Sequence, residues 1–256
     1  SAGNIDLTNA DATRDLLVST ANGNVNLLTG RSGNSTNLNT GLGDVTITTL
    51  NAGTDVAVTT GRGAVTGSTI NAGQNLTVTD DEGNIDLTTV TAGNDMTLTA
   101  VNGDTTVNNA AVGNDLTISA GNGNIGITDA VAGNDLSVNT GAGNITLARG
   151  TATNGDSLLK TSAGTITISD KLKSALTTIV EATLGVTAQT IESGDKGTVS
   201  NVNGLIDIET ILATKAGADI AITNSVAGNI DLTNADAARD LLVSTANGNV
   251  NLLTGR

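Results

Sequence analysis

Apolar residues two apart, with Thr, Ser, Asp or Asn between them, return along this chain in two alternating patterns. After Gly53, Gly73, Gly93, Gly113 and Gly133 the apolar pair stands at the third and fifth positions, as in Val56 and Val58, Leu76 and Val78, or Met96 and Leu98. After Gly43, Gly83, Gly123 and Gly143 it stands at the second and fourth, as in Val45 and Ile47 or Ile85 and Leu87. A period of two marks a short strand with one face buried. The alternation makes the repeating unit twenty residues, and thirteen glycines ten residues apart, from Gly23 to Gly143, hold its register.

Strands this short cannot bury their apolar faces alone. Coiling the chain lets each strand pair in parallel with its equivalent one unit later, whereas a meander of hairpins gives no reason for one two-strand signature to return in the same place. The predicted fold is therefore all-β, a parallel β-helix or β-solenoid of about 20 residues per coil. Stacking would set Asn94, Asn114 and Asn134 above one another in an amide ladder. Asp95, Asp115 and Asp135 would stack likewise, each relieved of like-charge repulsion by accepting local N–H bonds in an Asx turn.

Three stretches differ in regularity. Residues 1–150 are regular coils; 151–226 read as coils of the same solenoid with altered turns, their glycines only near multiples of ten. Within that stretch Leu172, Ala175, Leu176, Ile179, Val180 and Leu184 also fit one helical face, although the β-branched run Thr177 to Val180 favours strand. Residues 227–256 begin another copy of a 225-residue block, since Ala2–Arg31 and Ala227–Arg256 differ only at Thr13 against Ala238. That block corresponds to about eleven coils, and neither end carries the atypical polar coil of a terminal cap.

Composition narrows the interior. With no Phe, Tyr, Trp, His, Cys or Pro, the core must be thin layers of Val, Ile, Leu and Ala. Eleven basic against 25 acidic residues, a net charge of −14, make nucleic acids and anionic membranes poor partners. No apolar run approaches the ~20 residues of a membrane span, no signal peptide or initiating Met is present, and the absence of Cys excludes a disulfide framework. The chain reads as a soluble excerpt of something longer.

Candidate chemistry is sparse. Without His or Cys the usual catalytic bases, nucleophile pairs and soft metal sites are missing, and Arg14, Arg62, Arg149 and Lys160 stand isolated in the sequence, so no enzyme and no catalytic residue is expected. A polysaccharide-cleaving β-helix is the least favoured alternative. Asp80, Asp81 and Glu82 form the one acidic cluster, a candidate calcium site on a turn, set against the plainer reading of a solvated acidic turn. No other cofactor is expected. Thr77 and Thr79, Thr97 and Thr99, and Thr117 and Ser119 form outward ranks that would suit ice or another flat surface, with Ala57 interrupting the array. Glycines such as Gly41, Gly61 and Gly63 lead into no helix and are turns rather than phosphate loops.

The unit Ala92-Gly93-Asn94-Asp95-Met96-Thr97-Leu98-Thr99, alternating with half-units such as Gly83 to Thr88, resembles the repeats of filamentous-haemagglutinin-like large exoproteins of bacteria. The resemblance covers nearly the whole chain and is weakest between Thr151 and Val226. It implies a right-handed β-helical shaft, secretion, and an extracellular or cell-surface role as an adhesin, matrix or sheath fibre. The partners it implies are adjacent blocks of the same chain or identical chains in a filament, and a host or matrix surface.

Overall fold

The computed structural model describes residues 3–256; Ser1, which opens the regular stretch, and Ala2, which opens the duplicated segment, lie outside the described residues. Among the described residues every regular element is a strand. Among the described residues no helix is long and apolar enough to cross a membrane. The chain divides into two compact units, Ser1–Ile127 and Thr128–Arg256.

In the first unit each coil contributes one long and one short strand. The long strands, Val25–Ser32, Val45–Ala52, Val65–Ala72, Ile85–Ala92 and Thr105–Val112, lie parallel in chain order behind Ile5–Leu7 and Ala10–Ala12. The short strands, Leu16–Thr20, Thr36–Thr40, Val56–Thr60, Leu76–Asp80, Met96–Ala100 and Leu116–Ala120, form the second sheet. Register is constant at one coil: Val45 pairs with Val65, Val65 with Ile85 and Ile85 with Thr105. The expected parallel β-solenoid is the fold found.

The long strand holds more than the repeat pattern predicts. In Val45–Ala52 the inward residues are Val45, Ile47, Leu50 and Ala52, so the phase slips across Thr48 and Thr49. That slip bends the strand and hides the second inward pair from a search for strict alternation. The pair recurs as Ile70 and Ala72, then Val90 and Ala92. With Leu76, Met96 and Leu116 of the short strands, all fully buried, these residues make a core of stacked aliphatic layers.

The recurrent glycines are explained by close approach. A Cβ on Gly63 would fall into the carbonyl of Gly43, one coil earlier, so only the smallest residue lets the turns stack.

The second unit keeps the same alternation with unequal coils. Its long strands are Ile145–Ala152, Thr165–Ser174, Gly185–Ser193, Ile206–Ala213, Ile230–Ala237 and Val250–Gly255; its short strands are Leu136–Thr140, Ser157–Thr161, Thr177–Ala182, Lys196–Asn203, Asp219–Ala227 and Leu241–Thr245. Ile145 pairs with Ile166, a step of 21, and Ile206 with Ile230, a step of 24. The register also shifts between Ile168 and Lys171, where Ser169 and Asp170 form a bulge. The segment that also fitted a helix is strand: Leu172 and Val180 point inward while Leu176 and Leu184 are exposed. With Ile125–Ala132, which contains the boundary between the units, the chain passes through twelve long strands from Val25–Ser32 to Val250–Gly255, so the 225-residue offset of the duplicated segment equals eleven whole coils.

Candidate functional surfaces

The polar side chains are directed chiefly at the neighbouring coil. An Asn or Asp stands just before most strands, and its Oδ1 accepts the backbone N–H of the equivalent residue one coil later. Asn4 thus serves Asn24 N, Asn24 serves Asp44 N and Asp44 serves Ala64 N, at 2.9–3.0 Å. On the other corner Asp55 serves Asn75 N, Asn75 serves Asp95 N and Asp95 serves Asp115 N, at 3.2–3.3 Å. The expected local Asx turn at Asp95 is thus replaced by a bond to the next coil. The Asn114 amide likewise donates to Asp95 Oδ1 at 2.8 Å, in place of an amide ladder with Asn94. Amide-to-amide bonds do occur elsewhere, from Asn71 to Asn51 and from Asn122 to Asn102, both at 2.7 Å. A periodic Asn or Asp immediately before most of the inward pairs is the sequence signal for this ladder, with Ser35 and Ala64 as exceptions.

Asp80, Asp81 and Glu82 diverge. Asp80 is fully buried, whereas Asp81 and Glu82 are exposed, and Glu82 pairs with Arg62 at 3.0 Å. Asp80 takes the inward corner position that Thr20, Thr40, Thr60, Thr140 and Thr161 take in other coils. There Thr40 Oγ1 accepts from Gly43 N at 3.0 Å and donates to Gly23 O at 2.8 Å. Asp80 Oδ1 reproduces the first role, accepting from Gly83 N at 2.7 Å and Glu82 N at 3.2 Å. Its Oδ2 is buried without a hydrogen-bond partner. Burial raises the Asp80 pKa above the usual carboxylate value, with the nearby Asp81 charge adding to it and the amide bonds opposing. Among the described residues no three acidic side chains converge as metal ligands would.

The threonine ranks are aligned as expected: Thr77 pairs with Thr97 and Thr97 with Thr117, while Thr99 pairs with Ser119. Part of their hydroxyl capacity is turned along the column, since Ser119 Oγ donates to Thr99 Oγ1 at 3.2 Å.

Several basic residues that stand alone in the sequence have acidic partners one coil away. Arg149 meets Asp129 at 2.9 Å, Lys160 meets Glu181 at 2.8 Å and Lys215 meets Asp195 at 3.0 Å. Lys171 and Lys173 both reach Glu192 at 2.7 Å and hold its carboxyl below the usual range. Arg239 and Arg256 do the same for Asp219 and Asp236. A shallow groove of about 350 Å³ on the second unit is lined by Thr167, Ser169, Thr187, Gln189, Asp207 and Glu209, offering hydrogen bonds and negative charge but no basic group.

Residues 1–130 match the family model described as Toastrack DUF4097, and the chain belongs to that family. No curated protein and no solved structure matches it.

Proposed function

We propose that this member of the Toastrack family is a structural shaft within a giant repetitive bacterial surface or extracellular filament protein, serving adhesion, matrix or sheath formation rather than catalysis. The observation that carries the reading is the phase of the duplication: 225 residues make eleven whole coils, so a following block would continue the same ladders without a break. Two further features support it. The polar side chains before the strands are spent on neighbouring coils, and the repeats are similar to those of haemagglutinin-like exoproteins. Its partners are then adjacent blocks or identical chains, with any adhesive target met outside the stacked core.

The test is immunogold labelling of intact producing cells with antibody to this chain, joined to a denaturing mass measurement of the labelled protein. Surface labelling on a protein many times the 25.2 kDa of this chain is expected. Labelling that needs permeabilised cells, on a protein near one block in mass, would overturn the proposal.

A further inference from the structure

We infer that one corner of the second unit is a surface for side-by-side association with a second copy of this chain. On three successive coils the turn from short to long strand carries exposed aliphatic side chains: Leu184 at 53%, then Val202 at 42% and Leu205 at 43%, then Val226 at 52% exposure. Main-chain bonds stack these turns, Asn203 N donating to Thr183 O and Gly204 N to Ala227 O, both at 2.8 Å, so the four side chains stand on one ridge. Single exposed aliphatic residues are ordinary, but a run across neighbouring coils is not. At the same corner of the first unit Leu42 and Val101 are exposed singly, with Arg62 and the acidic turn of Asp81 and Glu82 on the coils between them.

Charge, shape and spacing identify the occupant. The chain has a net charge of −14, so two copies repel over most of their surface. The turns 182–186, 201–206 and 224–230 contain no charged residue, which makes the ridge a place where copies can meet without that repulsion. Beside it lies a groove of about 300 Å³ lined by Ala182, Thr183, Val202, Thr223 and Ser225 together with the Lys160–Glu181 ion pair. A two-fold contact sets the ridge of each copy against the groove of the other, and one patch supplies both halves. Four half-exposed side chains fall short of the about 800 Å² per partner that a stable contact buries, so one ridge binds weakly. On the tandem reading of the proposed function, on which this inference rests, the ridge recurs every 225 residues, or eleven coils. Another copy has the same spacing and twist, and the weak contacts then add along the pair.

Because the chain has no cysteine, one introduced thiol reports the contact. Leu205 stands on the middle coil of the ridge, next to the axis of a two-fold contact centred there. The control is Leu42→Cys, at a position at least as exposed on the same corner of the first unit. Each full chain is concentrated and mildly oxidised, and its rate of disulfide dimer formation is divided by the rate of that thiol with a small neutral disulfide. Leu205→Cys should dimerise about tenfold faster than Leu42→Cys, a ratio that ~1.4 kcal/mol of attraction gives. Adding Val226→Asp should bring its rate down to that of Leu42→Cys while melting shows the fold intact. Equal rates for the two single-cysteine chains, or a folded double variant that dimerises as fast as Leu205→Cys alone, would overturn the inference, whatever other protein the ridge captures. If Val226→Asp does not fold, the comparison of the two single-cysteine chains decides. Failure of the tandem reading shows separately, in the mass of the native protein.

Discussion

The two units solve one problem by different means. The first keeps its coils at twenty residues and bridges its corners with Asn and Asp side chains bonded to the next coil, with Arg14, Arg31 and Arg62 as its only basic residues. The second varies its coils between 19 and 24 residues and carries the other eight basic residues, most paired with an acid on a neighbouring coil. Uniform spacing lets identical side chains specify the next coil by repetition alone. Where spacing changes, complementary charge marks which neighbour is correct, a task of specificity more than of stability. The glycines divide similarly: Gly63 is needed for close stacking, whereas Gly217 has φ +80° and open space around it.

That difference gives the largest expected effect. Gly63→Ala should cost about 3 kcal/mol in urea unfolding, because a Cβ meets main chain that cannot yield, while Gly217→Ala should cost about 1 kcal/mol for its left-handed backbone. Equal costs would mean that the two kinds of glycine are not distinct.

The next effect concerns two carboxyls with opposite pH dependence. Asp80 has a raised pKa in the fold, so its stabilising contribution is present below the unfolded carboxylate value and is lost as pH rises through the folded one. Asp80→Thr should therefore raise stability by about 1–2 kcal/mol at neutral pH, with the gain disappearing in acid. Glu192 has a lowered pKa, so its contribution is present above the unfolded value and lost as pH falls through the folded one. Glu192→Gln should cost about 1 kcal/mol at neutral pH and nothing in strong acid. Melting curves of both variants between pH 2.5 and 8 check the pair of signs. Smallest of all, Arg62→Ala should change stability by less than about 0.5 kcal/mol, since both partners are mostly exposed; a larger loss would show that single ion pairs matter in the regular unit too.

The coil, its period and its parallel register were legible because Val56, Leu76, Met96 and Leu116 repeat at one spacing with polar residues between. Leu50 and Ala52 were not legible as a second inward pair, because the bend across Thr48 and Thr49 breaks the alternation that a strand search uses. The acidic turn was found as a cluster, yet its division into inward Asp80 and outward Asp81 and Glu82 depends on which side of the sheet residue 80 ends. The ion pairs are hidden in the sequence for a simpler reason: partners twenty or so residues apart look unrelated until the coil length is imposed on the charges.

The Asx ladder gives the chain a direction. Each Oδ1 serves an amide of the coil that comes after it, never the one before, along Asn4, Asn24 and Asp44 and again along Asp55, Asn75 and Asp95. A chain that emerges amino end first thus presents, with every turn it completes, an acceptor already aimed at the turn still to arrive. Assembly advances like a ratchet, with the nucleation cost met once at the leading end and each later layer laid on a prepared template.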